Sequence, residues 1–121
     1  MGVYVSIRGW LECDTSQLSA INAIIEARDD GRYSGGWATP RQPVGWTGYI
    51  FYGADIREAA LDWFLELLRE IARLPASDDD GDRVTGLFLA SHESNGMSEW
   101  HVRDGKVLIT PGKDHLRYLD E

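Results

Sequence analysis

The first third of the chain is organised around one strand and one helix. Residues 3–12 alternate apolar and polar positions with a period of two, which predicts a strand with one buried face. Asp14 then marks the start of a helix, and Gln17 stands three residues later as its capping-box partner. Gly31 is the glycine expected at the end of this helix. Residues 33–37 are interpreted as a short, distorted strand.

A second strand and a second helix follow in the middle of the chain. Residues 46–52 are rich in aromatic side chains, which is typical of a strand. A helix is predicted over residues 56–74, with Asp55 as its N-cap and Pro75 at its end. Apolar residues cover more than half of its circumference. Because so wide an arc must contact more than one surface, we expect this helix to pack on the sheet and on the first helix.

The last third predicts three strands joined by two tight turns. Asn95-Gly96 and Asp104-Gly105 are both sequences that favour the type I′ turn of a two-residue β-hairpin. They divide this part of the chain into strands over about residues 84–94, 97–103 and 106–110. The C-terminal third is therefore an antiparallel β-meander.

The two turns also predict which residues face the core. They place His92 opposite Glu99 and Trp100 opposite Ile109. The predicted core face consists of Leu87, Leu89, Trp100, Val102, Val107 and Ile109. The predicted opposite face consists of Phe88, Ala90, His92, Glu99, His101, Arg103 and Lys106. We therefore expect both His92 and His101 to be solvated.

The order of these elements predicts an α+β domain. Strand, helix, strand, strand, helix and strand follow one another, which is the order of a ferredoxin-like βαββαβ sandwich. The meander extends this unit, and both helices are expected on one face of the sheet. A length of 121 residues corresponds to one domain, residues 1–121.

The charge and cysteine content exclude several classes of function. The chain carries 12 basic and 20 acidic residues, a net charge of −8, which disfavours nucleic acid as a partner and suits a basic protein. A single cysteine, Cys13, excludes an intramolecular disulfide and is interpreted as a buried bystander. Neither a membrane-spanning apolar run nor a signal peptide is recognised, so the expected location is the cytoplasm. The sequence has no phosphate-binding loop and predicts no cofactor.

One group of side chains could carry chemistry. In the predicted register His92, Glu99 and His101 share one sheet face, and two histidines with a carboxylate can bind zinc or iron or act in acid–base catalysis. This is the alternative of a small metal- or ligand-binding, enzyme-like domain. The other interpretation is a row of solvated polar residues. The acidic run 78–82 does not match a calcium-binding EF-hand loop, because Arg83 occupies the position of the required glycine.

The aromatic residues point instead to a protein interface. Trp10 is predicted on the sheet face away from the helices, together with one pair of side chains from residues 49–52, and tryptophan and tyrosine are enriched at binding hot spots. Trp10 and Tyr49 are the best candidates for anchors. We expect them to anchor a basic partner, and a set of carboxylates to steer it: Asp78, Asp79, Asp80, Asp82, Glu93, Glu99 and Asp104. The alternative is that these rings form a second core layer beneath residues 32–45 or the C-terminal tail.

Four segments resemble a group of small bacterial proteins. They are Gly9-Trp10-Leu11-Glu12-Cys13-Asp14, Tyr33-Ser34-Gly35-Gly36-Trp37, Phe51-Tyr52-Gly53-Ala54-Asp55-Ile56-Arg57-Glu58 and Gly96-Met97-Ser98-Glu99-Trp100. The group is that of immunity proteins of polymorphic and contact-dependent toxin systems. The resemblance implies a cytoplasmic, non-enzymatic binder that neutralises a cognate toxin domain, often a basic nuclease. It transfers no functional residue to this chain.

Overall fold

A computed structural model of the chain describes residues 2–42, 44–77 and 81–120. Within these residues the fold is α+β, with a six-stranded antiparallel sheet and two α-helices. The strands are β1 Tyr4–Asp14, β2 Trp37–Ala38, β3 Thr47–Arg57, β4 Thr85–His92, β5 Gly96–Arg103 and β6 Lys106–Pro111. The α-helices are α1 Leu18–Ala27 and α2 Leu61–Ala72. Short 3₁₀ helices occupy Thr15–Gln17, Tyr33–Gly36, Glu58–Ala60 and Asp114–Asp120.

The sheet has the order β2-β3-β1-β4-β5-β6, and every neighbouring pair is antiparallel. One face, the inner face, is covered by both helices. Ile21 of α1 and Phe64 of α2 are fully buried in the same core as the inner-face residues of the strands. The ring of Phe64 lies 4.6 Å from that of Tyr52 on β3 and 5.6 Å from that of Phe88 on β4 (centroid distances). Helix α2 therefore packs over the centre of the sheet.

The start of the first helical segment agrees with the prediction from the sequence. The backbone N–H of Asp14 donates to Oε1 of Gln17 at 3.0 Å. Gln17 is itself buried, and its Nε2 donates to the carbonyl of Pro75 at 3.2 Å. The capping residue thus also ties the first helical segment to the chain beyond α2.

The predicted boundary between β3 and the second helix is wrong. Asp55 does not cap a helix, because β3 continues to Arg57 and α2 begins only at Leu61. The side chain of Asp55 accepts a hydrogen bond from Ser6 Oγ at 2.6 Å across the sheet. The strand is longer than its sequence suggests because it pairs along the whole of β1, where Ile56 is buried opposite Val5.

The turn at Asp104-Gly105 is as predicted. Both residues have a positive φ, 53° and 76°, which defines a type I′ turn. The turn places Trp100 opposite Ile109, as expected, and Trp100 is buried. The prediction that Ile109 belongs to the core is wrong, since 48% of its surface is exposed. β6 is an edge strand, so no strand of the described chain lies beside Ile109 on the side away from β5, although α2 contacts β6 and Val107 packs against the core.

The turn at Asn95-Gly96 differs from the prediction. His92 pairs with Gly96, so the loop contains three residues, 93–95, and Gly96 closes it with a φ of 78°. Nδ1 of His92 accepts hydrogen bonds from the backbone N–H groups of Ser94 and Asn95, at 3.0 and 3.1 Å. The imidazole therefore stabilises the longer loop from inside.

This change of register exchanges the two faces of β4. Compared with the predicted pairing of β4 and β5, the observed pairing is shifted by an odd number of positions. Every side chain of β4 therefore lies on the face opposite to the predicted one. Phe88 and Ala90 lie in the core, whereas Leu87 and Leu89 lie on the opposite, outer face. The prediction for these four residues is wrong, and the prediction that Trp100 and Val102 are core residues is confirmed.

Candidate functional site

The structure separates the three residues of the predicted metal site. His92 lies on the inner face, whereas Glu99 and His101 lie on the outer face, where His101 Nε2 is 3.2 Å from Glu99 Oε1. The prediction of one shared face is wrong because of the register of the β4–β5 hairpin. Across the part of the chain that the structure describes, no three His, Cys, Asp or Glu side chains are grouped to hold a metal ion.

His92 has a structural role. Its Nδ1 accepts two backbone N–H groups, so the proton of the neutral ring must be on Nε2. Nε2 is hydrogen-bonded to the carboxylate of Glu58, in the segment that precedes α2. Only 13% of the side chain is exposed. Both ring nitrogens are thus hydrogen-bonded within the fold, and the prediction that the imidazole is solvated is wrong.

The C-terminal segment covers one half of the outer face. The 3₁₀ helix Asp114–Asp120 packs on β4 and β5, and Arg8 donates to the carbonyl of Leu119 at 2.9 Å. Beneath this segment Glu99 is buried, and its Oε2 accepts the N–H of Lys113 at 3.2 Å. The predicted role of Glu99 as an exposed, partner-steering carboxylate is therefore wrong. A second layer exists, but it covers only the β4–β5 half of this face.

The other half of the outer face presents three aromatic rings. Trp10 on β1 and Tyr49 and Phe51 on β3 are 36%, 40% and 46% exposed, and we call these three residues the aromatic patch. The rings of Tyr49 and Phe51 are stacked with centroids 6.3 Å apart, and Trp10 pairs with Phe51 across the strands. Sequence alone left open whether Tyr49 and Phe51 or Ile50 and Tyr52 face outwards. The pairing of β3 with β1 places Tyr49 and Phe51 on the outer face.

An acidic cleft adjoins the aromatic patch. It has a volume of about 500 Å³ and is lined by Trp10, by the acidic residues Glu12, Asp82 and Asp104, and by the basic residues Arg83 and Arg103. Arg103 Nε is 3.1 Å from Asp104 Oδ2, so part of the acidic charge is paired within the cleft. Nε1 of Trp10 donates to Oε2 of Glu12 at 2.9 Å, which holds a carboxylate beside the exposed indole. The fold thus brings three of the predicted partner-binding residues, Trp10, Asp82 and Asp104, to one cleft.

The other predicted partner-binding carboxylates do not all line the acidic cleft. Glu93 lies at the other end of the sheet, where its N–H donates to the carbonyl of Tyr4 at 3.2 Å. It lines a separate cleft of about 760 Å³ that also includes Arg8 and Asp55. Asp78, Asp79 and Asp80 lie outside the described residues. Glu93 is therefore not part of the surface formed by the aromatic patch and the acidic cleft.

Cys13 is buried, as predicted. Its Sγ lies 3.8 Å from the carbonyl oxygen of Gly48, in the core beneath the sheet. Burial, together with the nearby charge of Asp14, raises the pKa of the Cys13 thiol to about 11. A thiol that stays protonated at neutral pH is a poor nucleophile, so the geometry gives it no catalytic role.

No protein-family model matches this sequence, and no curated protein matches it significantly. Among the described residues, no helix combines the length and the apolar character needed to span a membrane.

Proposed function

We propose that this chain is a non-enzymatic binding protein of the cytoplasm, an immunity protein that neutralises a cognate toxin domain. We further propose that its first six elements form a ferredoxin-like βαββαβ unit, which β5 and β6 extend. The antiparallel order β2-β3-β1-β4, with a helix after β1 and another after β3, supports this arrangement. The rest of the proposal is supported by the outer face of the sheet and by the charge of the chain.

The observation that carries the functional proposal is the uncovered half of the outer face. An antiparallel sheet often has one face in solvent, but that face is then usually polar. Here the C-terminal segment covers β4 and β5 and leaves the aromatic patch exposed, and an exposed group of large apolar side chains marks an interaction surface. Tryptophan and tyrosine are the residues that most often anchor a protein interface. Trp10 and Tyr49 are rigid rings on adjacent central strands, so little conformational entropy is lost when they bind.

The charge of the chain favours a basic partner. The net charge is −8, and the acidic cleft places three acidic residues, Glu12, Asp82 and Asp104, and two basic residues beside Trp10. Complementary charges of this kind increase the rate of encounter, whereas buried aromatic anchors slow dissociation. A basic toxin domain would therefore be steered by the carboxylates and held by the aromatic patch.

The test begins with affinity capture of the partner from the native host. Addition of the purified chain should then abolish the toxic activity of the captured protein at an equimolar ratio. Association and dissociation rates are next measured at low and at physiological salt. The association rate should fall as salt rises, because salt screens exposed charges.

Variants separate the contribution of the aromatic anchors from that of the steering charges. Trp10→Ala should act mainly through the dissociation rate, and Tyr118→Ala, which removes an exposed ring outside the aromatic patch, is its control. Charge reversal of Asp78–Asp80 should act mainly through the association rate, with Glu26→Lys on α1 as its control. An acidic partner, a salt-independent association rate, or toxic activity that persists with excess chain would each refute the proposal.

A further inference from the structure

The outer edge of β6 has backbone groups that bond to no other strand of the described chain. In a two-residue hairpin the residues that flank the turn exchange both backbone hydrogen bonds, so Arg103 bonds to Lys106. Alternate residues then face β5, and the bond from Gly112 N–H to the carbonyl of Met97, at 2.9 Å, continues the same alternation. The N–H and C=O groups of Val107 and Ile109 consequently point away from β5, in the plane of the sheet, at its free edge.

This edge is apolar on both of its faces. Leu108 on the outer face is 42% exposed and Ile109 on the inner face is 48% exposed. The sequence has no charged residue between Lys106 and Lys113. Proteins usually protect an edge strand with charges, proline, bulges or short length. In β6 such residues stand at the two ends, Lys106 and Pro111, and leave the apolar stretch between them open. The opposite edge of this sheet follows that rule, because β2 has only two residues, Trp37–Ala38.

We propose that a second copy of this chain covers the edge, with the two β6 strands paired antiparallel about a two-fold axis at Leu108. In such a pair the outer faces of both sheets lie on the same side. An even-numbered residue of β6 can therefore stand opposite only an even-numbered residue, and an odd-numbered one opposite only an odd-numbered one. Leu108 then stands opposite its own counterpart, and Val107 stands opposite Ile109 of the second copy.

Of the possible registers, this one pairs the free backbone groups of the β6 edge best. Two pairs of Val107 and Ile109 exchange four backbone hydrogen bonds, and the exposed Leu108 side chains contact each other. An axis at Ile109 would instead place Val107 opposite Pro111, which has no N–H to donate. Lys106 stands opposite Thr110, so no like charges meet.

The contact is self-limiting and lies away from the aromatic patch. A two-fold interface uses the same strand of both copies, so the assembly closes as a dimer. The aromatic patch is on β1 and β3, and β4 and β5 separate it from β6. Asp104 of the acidic cleft is nearer, because it lies in the turn between β5 and β6. Variants of the aromatic patch therefore test toxin binding without touching the dimer contact.

Sedimentation and cysteine cross-linking test the proposal. The mass should reach twice 13.6 kDa as concentration rises and then stay constant. Leu108→Cys should form an intermolecular disulfide efficiently under mild oxidation, because two cysteines directly opposite each other are within bonding distance. Ile109→Cys is the matched control. It should cross-link poorly, because in this register the two Ile109 positions are diagonal and about 7–8 Å apart.

Charge variants give an independent test. Leu108→Asp and Leu108→Lys should each weaken dimerisation by about tenfold or more, because like charges then stand opposite each other. An equimolar mixture of the two variants should restore a heterodimer. Phe51→Lys, in the aromatic patch, should leave the dimer intact.

A wild-type mass of 13.6 kDa at every concentration would overturn the proposal. So would a mass that rises without a limit, a dimer that persists in Leu108→Asp, or more efficient cross-linking by Ile109→Cys than by Leu108→Cys. If a charge variant fails to fold, the cysteine pair still decides the question.

Discussion

The two hairpin turns of the meander contain similar dipeptides and form different structures. Asp104-Gly105 makes a two-residue turn in which both residues have a positive φ. Around Asn95-Gly96 only Gly96 has a positive φ, and it closes a loop of three residues. Both turns contain a glycine in the left-handed region. The turn at Asp104-Gly105 gives the strand pairing predicted for its dipeptide, whereas that at Asn95-Gly96 shifts the pairing by an odd number of positions.

The difference between them lies in the residue that precedes each turn. His92 presents an acceptor, Nδ1, to the N–H groups of Ser94 and Asn95, and its Nε2 is held by Glu58 from another part of the chain. The side chain of Arg103 ahead of the other turn is exposed and bonds to the side chain of its neighbour Asp104. A side chain anchored by a tertiary contact can thus override the local preference of a turn dipeptide.

The largest expected effect tests the face exchange that the first turn imposes. Phe88→Ala should lower the free energy of unfolding by about 3–5 kcal/mol, because it removes a fully buried ring that packs on Phe64. Leu87→Ala, the neighbouring substitution on the outer face, should cost less than about 1 kcal/mol. Denaturant unfolding of both variants measures the difference, and a reversed order would restore the register predicted from the dipeptide.

The next effect tests the anchored imidazole itself. His92→Ala should cost about 1–2 kcal/mol, because two backbone N–H groups and Glu58 lose their partner. His92→Asn should recover part of that loss, since an asparagine side chain can accept the same two N–H groups. His101→Ala, on the outer face, should cost less than about 0.5 kcal/mol. Equal losses at the two histidines would contradict a specific role of His92 in the turn.

The glycines of the two turns should show similar, smaller effects. Gly96→Ala and Gly105→Ala should each cost about 1 kcal/mol, because both residues have φ near +77° (78° and 76°), which a side chain disfavours. Gly35→Ala is the control: an added Cβ there meets nothing within 4 Å and the backbone is not in that region, so stability should not fall. Thermal unfolding followed by circular dichroism distinguishes these cases.

The last prediction concerns a dependence on pH, at the buried thiol of Cys13. Folding raises the pKa of Cys13 from 9.0 to about 11, chiefly through burial. Above pH 9 the unfolded chain loses this proton first, so the free energy of unfolding should decrease between about pH 9 and pH 11. Cys13→Ala should make that decrease shallower than in the wild type. Urea unfolding at several alkaline pH values provides the comparison, and parallel profiles would show that folding does not perturb the thiol.

Much of the fold follows from patterns within single segments. The alternation of residues 3–12 predicts β1 and its buried face, and Gln17 closes the expected bond at the start of the first helical segment. The outward position of Trp10 also follows from this alternation. Such local patterns suffice where one face of an element is clearly apolar, because a shift by one residue would then bury polar groups.

The candidate site required the tertiary structure. The cluster of His92, Glu99 and His101 disappears because the hairpin register separates its members. Glu99 is removed from the surface by the segment Asp114–Asp120, which the sequence offered only as one of two alternative covers of this face, beside residues 32–45. Phe51 joins Trp10 and Tyr49 because the pairing of β3 with β1 selects its face.

The sequence by itself determined the class of the fold, the order of its elements, the acidic charge and the faces of β1, β5 and α2. Each of these depends on residues close together in the chain, where periodicity and turn chemistry act. Only the tertiary structure decided the register of β4, the length of β3 and which half of the outer face stays open. These features depend on contacts such as Glu58 with His92 and Arg8 with Leu119, between residues that are distant in the chain. Their energies are small, but each selects between arrangements that the local sequence favours almost equally.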